Sequence, residues 1–328
     1  MGDIMKFKSA LNASTLACLM LTGLNSAAAA YPDRPITMIV PYPAGQSVDL
    51  LARVVSDGLS KVLKQPIVVE NKPGAGGTLG TGLVARAAPD GYTLGMSASG
   101  PLAIAPHLFA NTSYDPVKDL TPIMNVAAVA QTLVVSAKSD IKSVQDLVAA
   151  AKAKPNKLNF GSPGNGSTSH LTQEMFKQRA GVQMVHVPYK GGPAAITDLV
   201  GGQIDVLFEA SPSVTPFVNR GDLRALAVTT STSIPALPQV APLASQGYES
   251  FEAVGWMGIV GPPKLPADIV QKLHAALVET LKDPSVREKL DTQGMLTIGD
   301  SPKEFGDFIN KEVAKWGAVI KTADIKLQ

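Results

Sequence analysis

The sequence predicts an α/β protein of two lobes, each a mainly parallel sheet flanked by helices, with a ligand bound in the cleft between them. Short apolar runs alternate with amphipathic helical stripes along most of the 328 residues, as in a parallel sheet covered by helices. The length suits two average domains better than one. Each of two series of elements contains a glycine-rich loop between a strand and a helix.

The first series spans residues 31–130 and begins with a strand at 36–40. The helix after it covers residues 47–63, because apolar residues recur there at helical spacing, and Ser47 is predicted as its N-cap. The remaining elements of this series are a strand at 67–69, a helix from 74 to about 88 and a strand at 92–96.

The second series spans residues 131–250, and no low-complexity linker separates it from the first. We therefore expect strands that cross between two lobes, with hinge segments near residues 127–132 and 247–254. After Val185, a loop is expected at residues 188–192. The predicted strands are 133–135, 158–160, 204–208 and 223–228, and the predicted helices are 144–154, 167–180 and one that ends near residue 200.

Residues 251–328 are predicted to return to the first lobe. An apolar run at 256–260 precedes two long amphipathic helices. The second of these helices opens with Ser301-Pro302-Lys303-Glu304, which is a capping box with proline at the first helical position. The sequence therefore predicts that the last helix starts directly after Ser301.

Residues 1–30 are predicted to be a secretory signal peptide. Two lysines lie near the start, residues 11–24 are mostly apolar, and Ala28-Ala29-Ala30 fits an A-x-A cleavage site, so we expect cleavage after Ala30. An uncleaved anchor is disfavoured, because polar residues interrupt a span that needs about 20 apolar residues. No lipid is expected on Cys18, because Thr15 stands where a lipid-attachment box usually has leucine. Export to the periplasm follows from this interpretation.

The composition argues against several classes of function. A net charge of +2 and 45% hydrophobic residues describe a chain that can bury a core and has no basic footprint for nucleic acid. The four histidines lie at no metal-ligand spacing, and the single cysteine, Cys18, lies in the signal peptide. We therefore expect a monomer with no metal, no cofactor and no nucleic-acid partner.

The loop from Gly161 to Thr168 reads G-x-x-x-x-G-S-T, which is a phosphate-binding loop without its lysine. Its counterpart in the first series is the loop at residues 41–47. Helix starts present unpaired N–H groups and the positive end of the helix dipole, and open α/β sheets bind ligands at such loops. One such loop alone is more often a simple turn, but two that face each other would hold one carboxylate from both sides.

Backbone N–H groups, rather than a side-chain cation, are expected to hold this carboxylate. Replacing Gly166 by proline, which removes an N–H, should weaken binding more than Ser167→Ala, and Lys190→Ala should matter least. His170 is expected to be neutral, because it lies in a first helical turn where the dipole lowers its pKa. Asp49 is expected to bond back to its own loop rather than to the ligand.

Two acidic residues, Asp205 and Glu209, alternate onto one face of a predicted strand. Val206 and Phe208 would then face the opposite, apolar side. Either the two carboxylates meet a ligand ammonium or a bridging water, or they are only polar residues at a strand end.

Enzyme motifs in the chain are incomplete. The run at 95–99 misses the G-x-S-x-G nucleophile elbow, because Ser99 replaces the last glycine. The run at 74–79 misses G-x-G-x-x-G, because Leu79 stands at the third glycine. No catalysis is expected. A hydrolase that uses Ser97 is the alternative among enzymes, and a periplasmic ligand sensor would share the receptor's ligand site.

Seven short runs resemble those of the Bug-type receptors, the extracytoplasmic solute receptors of tripartite tricarboxylate transporters. The resemblance covers nearly the whole mature chain. It implies a two-lobed periplasmic binding protein fold of type II that closes on a di- or tricarboxylate, an aromatic acid or an acidic amino acid. The implied partners are membrane transport subunits or, alternatively, a sensor kinase. The runs are YPDRPI at 31–36, PYPAG at 41–45, VENKPGAGG at 69–77, PDGYT at 89–93, NFGSPGNGS at 159–167, VPYKGG at 187–192 and GQID at 202–205.

The resemblance also implies which residues contact the ligand. Gln46 stands where the family usually has a second glycine, and its amide is expected to contact the ligand or to narrow the site. The walls of the cleft would include Ser97, Ser99, Tyr189, Asp205 and Glu209. The contacts carried over by position are Ala44, Gly45, Gln46, Ser47, Gly164, Gly166, Ser167 and Thr168.

Overall fold

The computed structural model describes residues 31–109 and 112–326. The predicted signal peptide at 1–30 and its cleavage after Ala30 lie outside the described residues. The chain divides into two units after Asp33, and the second unit, Arg34–Gln328, contains the helices and strands given below. Among the described residues, no helix combines the length and the apolar composition that a membrane span needs.

One ten-stranded sheet organises the second unit. Its order is β2-β1-β3-β9-β4-β7-β5-β6, and β8 and β10 each pair with β4 outside this path. The strands are β1 (Ile36–Val40), β2 (Ile67–Asn71), β3 (Thr93–Ala98), β4 (Thr121–Ser136), β5 (Asn159–Ser162), β6 (Val185–Pro188), β7 (Val206–Ala210), β8 (Leu223–Val228), β9 (Val254–Gly261) and β10 (Leu296–Thr297).

Helices occupy most of the connections between strands. A π-helical turn at Gly100–Ile104 and short 3₁₀ turns at Ala75–Gly77 and Leu243–Gln246 complete the described secondary structure. The α-helices are α1 (Ser47–Leu63), α2 (Thr78–Ala85), α3 (Ala105–Leu108), α4 (Val144–Ala153), α5 (Thr168–Ala180), α6 (Gly192–Val200), α7 (Ser211–Asn219), α8 (Ala267–Lys282), α9 (Pro284–Thr292) and α10 (Pro302–Thr322).

The long strand β4 divides the sheet into two halves. Its residues 121–130 pair with β9, and its residues 131–136 pair with β7 and β8. We call β1, β2, β3, β9 and β10 with the start of β4 the first half-sheet, and β5 to β8 with the end of β4 the second half-sheet. The chain crosses back between the halves in the segment that leads from β8 to β9.

Both half-sheets are mixed: the outer strands pair in parallel, as predicted, and the inner strands pair antiparallel. β1 is parallel to β2 and β3, and β5 is parallel to β6 and β7. β4 and β9 run antiparallel to their partners. The two halves are joined by strand β4 itself and by the segment from β8 to β9. Neither connection is the helical crossover that parallel pairing of consecutive strands requires.

The sequence pattern located most elements but misplaced some ends and missed others. Ser47 is the first helical residue of α1 and not its N-cap, which is Gln46 and makes no side-chain cap bond. Strand β6 was not predicted, and only its last residue, Pro188, falls within the loop predicted at 188–192. Helix α7 was not predicted, because Pro216 inside it argues against a helix. The capping box at Ser301 is confirmed.

Helix α10 fixes the position of Trp256 on β9. The Phe305 ring of α10 packs edge-on against Trp256, with ring centroids 5.8 Å apart. The Trp256 indole N–H donates to the Glu312 carboxylate over 2.9 Å, and the Trp316 indole N–H donates to the same oxygen over 3.0 Å. Because a buried indole N–H needs an acceptor, one carboxylate of α10 orients both rings.

Candidate ligand-binding site

A cavity of about 430 Å³ lies where the two half-sheets meet. This volume suits a small molecule. The cavity is at the carboxyl ends of β1, β3, β5 and β7, the edge at which open α/β sheets bind ligands. Of the residues predicted from the sequence, six line it: Ser47, Ser99, Gly164, Gly166, Ser167 and Thr168.

The loop between β1 and α1 is held closed by Asp49. The Gly45 N–H donates to Asp49 Oδ2 over 2.8 Å, and the Asn71 amide donates to Asp49 Oδ1 over 2.8 Å. Burial opposes the charge of Asp49, but hydrogen bonds from Arg53, Gly45 and Asn71 outweigh it and lower the pKa of the carboxyl. The prediction that Asp49 bonds back to its own loop is confirmed. Ala44, Gly45 and Gln46 are exposed and do not line the cavity.

The loop between β5 and α5 is also held by its own side chains. Ser167 is the N-cap of α5, and its hydroxyl accepts the His170 N–H over 3.2 Å and donates to the Gly164 carbonyl over 2.7 Å. The Gly166 N–H donates to His170 Nδ1 over 3.2 Å. Gly166 lines the cavity, but its N–H is already bonded to His170 and is not available to a ligand. The sequence had predicted that this N–H would bind the carboxylate.

The two loops share one hydrogen-bonding arrangement. In each, a glycine directly before the N-cap donates its N–H to the side chain of the third helical residue, from Gly45 to Asp49 and from Gly166 to His170. Both glycines have positive φ angles, 86° and 74°, which only glycine adopts without strain. The loops therefore keep their shape without a ligand.

The first two residues of each helix have N–H groups that are left for a ligand. Within the described residues, no acceptor is found for the backbone N–H groups of two pairs of residues. These are Ser47 and Val48 at the start of α1, and Thr168 and Ser169 at the start of α5. Such groups lie at the positive end of the helix dipole. Of these residues, Ser47, Val48 and Thr168 line the cavity, so each half of the protein presents unpaired donors there.

His170 is neutral, as predicted, but burial rather than the helix dipole is the main cause. Its ring stacks on His186 with centroids 3.8 Å apart. Burial, followed by the charges of His186 and Lys177, lowers the pKa of His170 to about 3, and burial with Lys177 lowers the pKa of His186 to about 4. A neutral imidazole can accept the Gly166 N–H at Nδ1, which a protonated ring cannot.

Three residues expected in the walls of the cleft lie elsewhere. The Ser97 hydroxyl is buried and lies 3.0 Å from the Thr81 hydroxyl. The Tyr189 hydroxyl donates to Asp198 over 2.7 Å. Asp205 accepts the N–H of Asn159 over 2.7 Å at the start of β7, whereas the cavity lies at the other end of that strand. Side-chain alternation identified a face of the strand but not which end reaches the ligand.

Glu209 lies directly behind the cavity wall formed by Ala210. Its Oε1 accepts the Ala210 N–H over 2.9 Å, and its buried Oε2 has no partner in the described residues. A Cβ added to Gly192 at the start of α6 would lie 2.9 Å from Oε2. Burial raises the pKa of Glu209 to about 7, although the Ala210 N–H acts in the opposite direction.

Strand residues that the sequence did not identify form much of the remaining wall. Val129 and Gln131 on β4, and Trp256 and Met257 on β9, were missed because these strands carry no loop motif. One signal was available in the sequence, since Gln131 interrupts a mostly apolar run from 126 to 135. The missed lining residues include Tyr42, Ile104, Val129, Gln131, Trp256 and Met257.

Sequence comparison shows relatives over most of the chain. The family model described as "Tripartite tricarboxylate transporter family receptor" matches residues 51–325. The chain is 37% identical to Protein BugT of Bordetella pertussis over 299 residues, which are 91% of this chain and 92% of BugT.

Solved structures show the same fold. The periplasmic binding protein BugD is 33% identical with a TM-score of 0.73, and the match covers 90% of this chain and all of BugD (100%). A Rhodopseudomonas palustris protein with adipate is 33% identical with a TM-score of 0.76, over 90% of this chain and 100% of that one. MatC from the same species, with bound malate, is 30% identical with a TM-score of 0.73, over 88% and 100%. The predicted periplasmic binding protein fold is confirmed, and these proteins are solute receptors and not enzymes.

Glu209→Gln is expected to stabilise the protein at pH 8 and to change nothing below about pH 4.5. The pKa of the carboxyl is raised from 4.5 to about 7 in the folded protein, so its stabilising, protonated form is lost as the pH rises through this range. Thermal unfolding between pH 4 and 8 measures the effect, with the exposed Glu288→Gln as control. A difference between Glu209→Gln and wild type that does not vary with pH would contradict this assignment.

Proposed function

The chain belongs to the receptor family of the tripartite tricarboxylate transporters, and from this we propose that it captures a small organic carboxylate in the periplasm. The observation that carries the proposal is the convergence of two helix starts on one cavity. One start, at Ser47 and Val48, belongs to the first half-sheet, and the other, at Thr168 and Ser169, belongs to the second. A carboxylate between them would accept N–H groups from both sides.

The energies are sufficient for a receptor of ordinary affinity. A hydrogen bond to a charged group contributes about 1.5–3 kcal/mol. Three or four such bonds reach the roughly 8 kcal/mol of a micromolar complex before the costs of association are subtracted. Because Asp49 is bonded to Arg53 and His170 is neutral, the two loops present little negative charge to oppose an anion.

The family and the ligands of its relatives support a carboxylate as the captured solute. The adipate and malate structures are of relatives that cover this fold, so we include dicarboxylates among the ligands of this chain, beside tricarboxylates, aromatic acids and acidic amino acids. Membrane subunits of a tripartite carrier are the proposed partners. Lys190 is exposed and does not line the cavity, which agrees with an anion held by backbone groups.

Thr168→Pro and Ser47→Pro are each expected to weaken adipate binding at least tenfold. Proline is tolerated at the first helical position, so each change removes one N–H and leaves the helix in place. The preceding residues, Gln46 and Ser167, have extended backbones (ψ 161° and 156°) that a following proline accepts. Isothermal titration calorimetry with adipate, and with malate if adipate does not bind, measures the loss.

The matched controls are Thr168→Ala and Ser47→Ala, which remove the hydroxyls and keep the N–H groups. They should bind within about threefold of wild type, and Lys190→Ala should bind normally. Circular dichroism checks that each variant folds. If both alanine variants lose binding as severely as the proline variants, hydroxyl groups rather than helix starts hold the anion, and the mechanism proposed here is wrong.

Ligand capture should close the two halves around the points where the chain crosses between them. Thr229 joins both crossings: its N–H donates to the Gln131 carbonyl over 3.0 Å, and its hydroxyl donates to the Ala253 carbonyl over 2.5 Å. We expect the radius of gyration from small-angle scattering to fall when saturating adipate is added. At an adipate concentration close to the wild-type Kd, Thr168→Pro should contract less than wild type. Equal dimensions of free and ligand-bound wild type would argue against closure.

The mature protein is expected to begin at Tyr31 and to carry no lipid. Family receptors are periplasmic, and the three alanines that end at Ala30 fit a cleavage site. Intact mass spectrometry of the protein recovered from the periplasm tests both points. A mass that corresponds to a diacylglyceryl group on Cys18 would contradict this processing.

A further inference from the structure

We infer that the Gln131 amide donates a hydrogen bond to a second oxygen-bearing group of the ligand, at a distance from the bound carboxylate. The receptor would therefore select acids that carry such a second group. This inference rests on the proposed function, because it assumes that the two helix starts hold the first carboxylate. Gln131 lines the cavity from β4, at the residue where that strand changes partners from β9 to β7.

The amide of Gln131 is buried and oriented by the protein. Only 4% of the residue is exposed, and its Oε1 accepts the Ser169 hydroxyl over 3.0 Å. Ser169 lies in the first turn of α5, next to the helix start proposed to hold the carboxylate. The Nε2 end, which carries two N–H donors, has no protein acceptor within the described residues. A buried amide with two unused donors at a cavity is suited to an oxygen acceptor.

The backbone of Gln131 is fixed as firmly as its side chain. Its N–H donates to the Thr229 hydroxyl over 3.0 Å, and its carbonyl accepts the Thr229 N–H over 3.0 Å. Thr229 is fully buried (0% exposed). Little conformational freedom is therefore lost when a ligand binds to Gln131, and preorganisation of this kind increases affinity.

The surroundings of Gln131 define what its N–H groups can bind. Among the described residues, the cavity is lined by no Asp, Glu, Lys or Arg side chain. The other polar side chains that line the cavity are neutral, and Val129 and Trp256 contribute apolar surface. These polar residues are Tyr42, Ser47, Ser99, Asn165, Ser167 and Thr168. Neutral donors can serve a carbonyl, hydroxyl or second carboxylate oxygen. An ammonium group would find no charged partner in this wall.

The test uses three six-carbon acids that differ only at the far end: adipate, hexanoate and 6-aminohexanoate. Wild type should bind adipate at least tenfold more tightly than hexanoate. Gln131→Leu should lower the affinity for adipate at least tenfold and keep the affinity for hexanoate within threefold of wild type. Gln131→Glu keeps an acceptor for the Ser169 hydroxyl but loses the two N–H donors. It should therefore lower the affinity for adipate and raise the affinity for 6-aminohexanoate. Calorimetry measures all nine affinities, and the four-carbon pair of succinate and butyrate repeats the comparison at shorter length.

The matched control is Gln173→Leu, which removes a buried amide from α5 that does not line the cavity. It should leave every affinity unchanged. If Gln131→Leu weakens adipate and hexanoate by the same factor, or weakens neither, Gln131 does not read the second group, and the inference is overturned while the receptor function stands. If wild type binds none of these acids at millimolar concentration, both the inference and the proposed function are overturned.

Discussion

Backbone N–H groups at the start of a helix have no partner inside that helix, and the proposed ligand site of this protein is organised around two such starts. Each preceding loop is stabilised by a glycine N–H that bonds to the side chain of the third helical residue, Asp49 in one half and His170 in the other. One side chain is a carboxylate neutralised by arginine, and the other is a neutral imidazole. Different chemistry therefore gives the same result, which is a rigid loop whose first two helical N–H groups remain unpaired.

The crossing strand β4 connects this anion site to the rest of the molecule. It pairs with β9 in the first half and with β7 and β8 in the second. Val129 and Gln131 project from it into the cavity, and Thr229 bonds to its backbone at the point of crossing. The backbone groups that hold a charge are thus separate from the side chains that would distinguish one acid from another.

The sequence predicted those parts of the structure that depend on local pattern. The loop bond of Asp49 and the capping box at Ser301 were predicted because glycine, acidic residues and serine near helix starts have a short-range role. The availability of the Gly166 N–H was misjudged, because the pairing of His170 with His186 arises only when β5 and β6 lie side by side. Gln131 was missed because its position depends on two crossings far apart in sequence.

The arrangement around Glu312 has an optical consequence. The chain has two tryptophans, and both indole N–H groups donate to this one carboxylate. Trp256 also lines the cavity, whereas Trp316 lies in the core behind it. The tryptophan emission of the protein therefore comes from one indole that borders the proposed ligand cavity and a second indole that shares its hydrogen-bond acceptor. The receptor carries a built-in fluorophore pair through which occupancy can be followed without any label.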